Sequence, residues 1–189
     1  MQTDKSLRAH LRAATQSRHA TLDRMIGPVN SRETYVGYLC GIAAFRIPVE
    51  QRLATLAAWP DRLGSWRPTF LARWLSLDLT ALQLDVPSGV SGLDLSSDSR
   101  VMGVLYVLEG SILGAHSVIR QAASLGFNDR SGARHLSVQT SALAGWKQFL
   151  TCLEKEAALD REVTASAACE TFDEAVTAMN LAFPDRNPA

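Results

Sequence analysis

The chain has 189 residues, with 19 lysines and arginines balanced by 19 aspartates and glutamates. A formal net charge of zero excludes the basic footprint of a nucleic-acid binder, and the length suits one domain with a large core. Cys40, Cys152 and Cys169 are too scattered for a zinc cage or a disulfide framework, and read as buried free thiols in a reducing, cytoplasmic setting.

No run alternates apolar and polar residues as a half-buried strand would. Apolar positions recur instead with the helical period, so an all-α fold is expected. The opening stretch carries charges throughout and lacks the apolar run of a secretory signal. The first helix is expected to start near Thr3 or Asp4 and to stop at Gly27–Pro28. Within it, "LRAATQSRHATLD" sets Arg12, Thr15, His19 and Asp23 roughly on one face. An imidazole there can ligate iron through one ring nitrogen while an acceptor four residues on fixes its tautomer. Arg12 adds a permanent cation suited to a carboxylate. An ordinary solvated surface with i,i+4 pairs would satisfy the same pattern.

A second helix is expected from Ser31 to about Trp59, kinked or broken at Pro48, and a third from about Thr69 to Leu84. "DVPSGVSGLDLSSDS" reads as the main loop. The fourth helix, about Ser97 to Leu125, holds the most apolar stretch, "VMGVLYVLEGSILGAHSVI". Glu109 at its middle argues against membrane insertion, although the G-x-x-x-G spacing of Gly110 and Gly114 also occurs in membrane helix pairs. Each glycine in a helix interior costs about 0.5–1 kcal/mol relative to alanine. The two share a small face with Val107, Ser111 and Val118. A tight helix crossing explains that face, and so does a flat ligand lying against a bent backbone; the pattern alone leaves both open. "FNDRSGARHL" reads as loop or a broken turn, followed by helices from about Val138 to Ala158 and from Ala165 to Ala182. Residues 1–183 are expected to form the domain and 184–189 a loose tail.

Metalloprotease, di-iron, Walker A and nucleophile-elbow motifs are missing. His116 lies off the glycine face and reads as a surface or interface residue, and His135 in "GARHL" as structural. Trp59, Trp66, Trp74 and Trp146 read as core or surface anchors, since no basic stripe accompanies them.

"LRAATQSRHATLD" and the later "LYVLEGSILGA", with "GARHL", "GWKQFL" and "ETFDEAVTAMN" beyond them, together resemble the bacterial biliverdin-producing heme oxygenases. The resemblance implies one all-α domain with heme b, substrate and cofactor at once, between a proximal and a kinked distal helix. It implies His19 as the axial iron ligand, Asp23 as its hydrogen-bond partner, and Arg12 and Lys147 as basic groups near the propionates, with Thr15 on the same proximal face. Gly110, Ser111, Gly114 and Ala115 match the distal helix. Animal members carry an aspartate at the Ser111 position, and an arginine often found one turn beyond Lys147 is here Thr151. The implied reaction cleaves heme to biliverdin, carbon monoxide and ferrous iron, using O2 and electrons from an external ferredoxin or reductase. Iron release and supply of biliverdin to a phytochrome are both open as its purpose. A non-degrading heme sensor or carrier on the same scaffold is the alternative.

Overall fold

A computed structural model describes residues 6–155 and 159–184, and these form helices with no strand beyond isolated bridges from Asn128 to Ser131 and Gly132. Helix α1 spans Leu7–Ile26. Its local cap is Ser6, whose hydroxyl accepts from the Ala9 N–H at 3.2 Å. A second cap arrives from elsewhere: the Glu154 carboxylate accepts from the Leu7 and Arg8 N–H groups at 3.3 and 2.8 Å, where negative charge also complements the helix dipole. The expected caps Thr3 and Asp4 lie outside the described residues. Gly27, at φ 58°, closes the helix as its sequence predicts.

Helix α2, Arg32–Leu53, opens on a capping box in which Ser31 and Thr34 bond reciprocally. It ends short of Trp59 and continues through Pro48 without a break. An interior proline costs about 3 kcal/mol or more, yet the segment from Phe45 to Glu50 is buried at every position, and that packing holds it helical. A 3₁₀ turn at Asp61–Leu63 precedes α3, Ala72–Ala81.

The glycine-bearing segment is two helices rather than one bent rod. They are α4, Asp98–Gly110, and α5, Ile112–Ser124, with the break at Ser111. The region read as loop and a single long helix resolves into α6, Arg134–Ser141, and α7, Leu143–Leu153. The early start of α6 has a tertiary cause. The Asp78 carboxylate on α3 accepts from the Arg134 and His135 N–H groups at 3.0 and 2.9 Å, a cap that sequence-local rules miss. Helix α8, Arg161–Ala182, begins on Asp160, whose side chain accepts from the Glu162 and Val163 N–H groups. Of the expected tail, residues 185–189 lie outside the described residues.

Helix α8 packs on α1, α2 and α4. Its Thr164, Ala167 and Ala168 are small enough for α4 to approach at Gly103, where an added Cβ would overlap the Thr164 carbonyl oxygen and stand 2.8 Å from Ala167 Cβ. The tight helix crossing considered for Gly110 and Gly114 is thus built at Gly103. The stretch Asp98–Ser124 is long and apolar enough to cross a membrane by composition, but half of its most apolar window is buried inside the protein.

Candidate functional site

The outward face of α1 carries His19, with 63 % of its side chain exposed and Nδ1 2.9 Å from Asp23 Oδ2. The ring of Phe172 on α8 stands beside it, with centroids 5.8 Å apart. Nδ1 is committed to the carboxylate, and Nε2 has no protein partner among the described residues. Among those residues no group of three His, Cys, Asp or Glu side chains could cage a metal. His19 therefore presents one open ring nitrogen on the exposed face of α1. Arg12 is exposed on the same helix. The predicted face splits at Thr15, which is 4 % exposed and donates its hydroxyl to the Leu11 carbonyl at 2.8 Å.

The two glycines of the break differ. A Cβ on Gly114 would meet nothing within 4 Å, and its neighbour Leu113 is 58 % exposed. A Cβ on Gly110 would rest at 3.5 Å from the Trp146 ring, an ordinary contact. Ala115 turns inward and is buried. Trp146 in turn faces Tyr106, with centroids 6.0 Å apart. Burial pushes the Tyr106 phenol up, and the nearby charges of Arg8 and Arg12 pull it back. Tyr106 thus stands beside Trp146, and Trp146 beside Gly110 at the break between α4 and α5. Lys147, next to Trp146, is exposed.

Behind the break lies a buried polar cluster. Arg46 on α2 donates from Nε to Glu50 Oε1 at 2.7 Å, from Nη1 to the Leu108 carbonyl at 2.9 Å, and from Nη2 to the Thr69 carbonyl at 3.0 Å. The other Glu50 oxygen accepts from the Leu71 and Ala72 N–H groups. Ser111 Oγ donates to the Leu108 carbonyl at 2.6 Å and accepts from Gln139 Nε2 at 2.8 Å and Arg46 Nη1 at 3.4 Å. Glu109 accepts from the Thr69 N–H at 3.0 Å. Burial drives its carboxyl above the usual carboxylate range, against that bond and Arg46, while Glu50 adds to the rise. A cavity of about 10 Å³, the size of one water, is lined by Arg46, Glu109 and Gln139.

The other histidines are placed differently. His135 is fully buried, with Nδ1 2.8 Å from Asp78 Oδ2, as its structural reading expects. Burial holds its imidazole below the ordinary histidine value, and the Asp78 contact opposes that. His116, expected at a surface or interface, is half-buried with Nε2 enclosed and unpaired by any described residue. All three cysteines are free, but only Cys152 is buried as expected, while Cys40 and Cys169 are half-exposed.

Sequence reasoning missed Tyr106, Phe172 and Arg46 as neighbours of the site. For Arg46 a signal existed: "GIAAFRIPVE" places an arginine and a glutamate four apart inside an apolar run, the mark of a buried pair.

No family model matches the chain. The heme oxygenase PigA of Pseudomonas aeruginosa is 32 % identical over 162 residues, covering 80 % of this chain and 80 % of that protein. Among solved structures, the NO- and CO-bound heme oxygenase from Neisseria meningitidis superposes with a TM-score of 0.78 at 22 % identity, over 95 % of this chain and 92 % of that one.

Proposed function

The chain belongs to the heme oxygenase family, and from that premise we propose that it binds heme between α1 and the α4–α5 break and degrades it to biliverdin, carbon monoxide and ferrous iron. It is an oxidoreductase that draws electrons from an external reductase-type donor. The observation that carries the site assignment is the His19–Asp23 pair, an exposed imidazole with one nitrogen tied and the other free.

When bound, heme supplies the iron at which O2 is activated and is itself the molecule consumed. The rest falls to the chain. His19 would hold the iron through Nε2, the ring nitrogen that Asp23 leaves open. Asp23 keeps the proton on Nδ1 and raises the basicity of the ring. Phe172 packs beside the imidazole and limits its rotation. Arg12 and Lys147, exposed and paired with no described residue, are cations suited to the propionate carboxylates. Gly114, with open space beside it, would leave that side of the cleft clear for a small molecule, and Gly110 seats the backbone against Trp146. Thr15 and Ala115 back the two walls from their buried sides. Ser111 spends its hydroxyl on the far side of the break, so any proton for the oxygen chemistry reaches the cleft through water and backbone.

The same reading takes residues 1–183 as one domain working in the cytoplasm, on heme b, with a ferredoxin as one electron donor and a phytochrome as one acceptor of biliverdin. The test is an absorption titration with hemin followed by ascorbate under air with catalase present. A Soret band that forms and decays into the broad red band of biliverdin supports the reading. A Soret band that persists through ascorbate and a ferredoxin system makes the protein a heme carrier or sensor instead. Failure to form a complex overturns heme binding.

A further inference from the structure

Ser111 has one proton and two lone pairs, and all three are engaged, by Leu108, Gln139 and Arg46. Nothing of this hydroxyl is left for the cleft. The Leu108 carbonyl, the natural acceptor for the Ile112 N–H in an unbroken helix, is held by Ser111 Oγ and Arg46 Nη1. The helix breaks at the residue between. Side chains inserted into the i→i−4 ladder are a known cause of sharp kinks.

Arg46 is anchored well enough to enforce this. It is 1 % exposed, and its three donor nitrogens reach three different elements: Glu50 on its own helix, Thr69 in the segment before α3, and Leu108 on α4. Glu50 is fixed in turn by two backbone N–H groups at the start of α3. A planar, forked cation can hold such a set, and a lysine reaches only part of it.

We propose that Arg46 is a positioning residue that locks the break of the distal helix through Leu108 and Ser111, and so sets where the Gly110–Gly114 backbone stands over the bound substrate. The role rests on the reading of α4–α5 as the wall of a heme cleft. Releasing the lock lets the ladder close across Ser111, so that α4 and α5 run on as one helix and the backbone at Gly114 moves.

The test uses Arg46→Lys and Ser111→Ala, with Arg62→Lys as control. Arg62 is also buried and holds carbonyls, those of Cys152 and Lys155, away from the break. Amide hydrogen exchange is measured on the hemin-free protein, and the infrared C–O stretch on the ferrous CO complex. In both test variants exchange at Ile112 is expected to slow about tenfold as its N–H regains an acceptor, and the C–O stretch to shift. Arg62→Lys moves neither. Exchange at Ile112 that is unchanged or faster overturns the lock, as does a change shared with Arg62→Lys. A C–O stretch that stays fixed while exchange slows overturns the positioning role. If Arg46→Lys does not fold, Ser111→Ala decides on the same readouts. If the wild type takes up no hemin, the heme reading fails, while exchange in the hemin-free protein still decides the lock.

Discussion

Two histidine–aspartate pairs of nearly equal length sit in opposite environments. His19 and Asp23 meet at 2.9 Å on the outside of α1, with side chains 63 % and 65 % exposed. His135 and Asp78 meet at 2.8 Å with no exposure at all. The first is local, an i,i+4 pair within one helix. The second joins α6 to α3, with Asp78 also capping the α6 N-terminus. Hydrogen-bond geometry alone therefore does not separate a pair open to a ligand from a buried structural one. Access to the second ring nitrogen does: on His19 it is open, on His135 it is enclosed and unpaired by any described residue.

Removing each histidine in turn tests this contrast most strongly. His19→Ala is expected to lower heme turnover by more than about a hundredfold, with thermal stability within about 0.5 kcal/mol of wild type because the site is exposed. His135→Ala is expected to cost about 3–5 kcal/mol, since it strips a partner from a buried carboxylate and leaves a cavity. Denaturant unfolding and hemin turnover on both variants decide. Equal losses of stability would erase the distinction.

A matching contrast holds between the glycines. Gly103→Ala is expected to destabilise by about 1–3 kcal/mol, because its methyl group runs into α8 backbone and the helices must part. Gly114→Ala has open space and is expected to stabilise the hemin-free protein by about 0.5–1 kcal/mol. Gly114→Leu, tested by hemin titration and turnover, is expected to block the oxygen chemistry while the protein stays folded. Full turnover in Gly114→Leu would remove Gly114 from the site.

How much of this was legible in the sequence follows from the range of the interactions. The pairing of His19 with Asp23 and the Ser31–Thr34 box are local, and helical spacing exposes them. The break at Ser111 was legible only as a bend, because its cause is Arg46, distant in sequence. The start of α6 is fixed by Asp78 on α3, and that of α1 by Glu154, just past α7, beside its local Ser6 cap. Helix-end rules predicted Gly27 and missed both. Burial, too, is a property of the whole fold: it separated Thr15 from His19 on what spacing alone presents as one face.

A milder change to the exposed pair is Asp23→Asn. The amide keeps the shape but weakens the acceptor for Nδ1–H. Loss of such a partner typically lowers metal affinity or activity about 10–100-fold. Hemin affinity and turnover are expected to fall by that range, with urea stability unchanged. Wild-type values in Asp23→Asn would leave His19 without need of its partner.

The smallest effect is the pH response of the buried pair. The folded-state value of His135 is lowered by burial, with Arg46 adding to the effect and Asp78 opposing it. The unfolded chain therefore binds this proton first as pH falls. The stability due to a neutral His135 is complete above about pH 6.5 and is lost progressively below it. Burial raises Asp78, but the His135 ring and the Arg134 and His135 N–H groups outweigh it, so its folded value is lowered. Its contribution is present above about pH 4 and is lost as pH falls further, through the folded value. The loss of stability should therefore come in two stages, histidine first. One proton changes stability by at most about 1.4 kcal/mol per pH unit, so the first stage between pH 6.5 and 5.5 is expected to stay within that bound in urea unfolding. His135→Gln, which cannot titrate, should flatten that stage while leaving the one below pH 4. If its slope between pH 6.5 and 5.5 matches wild type, the buried pair is not what acid attacks first.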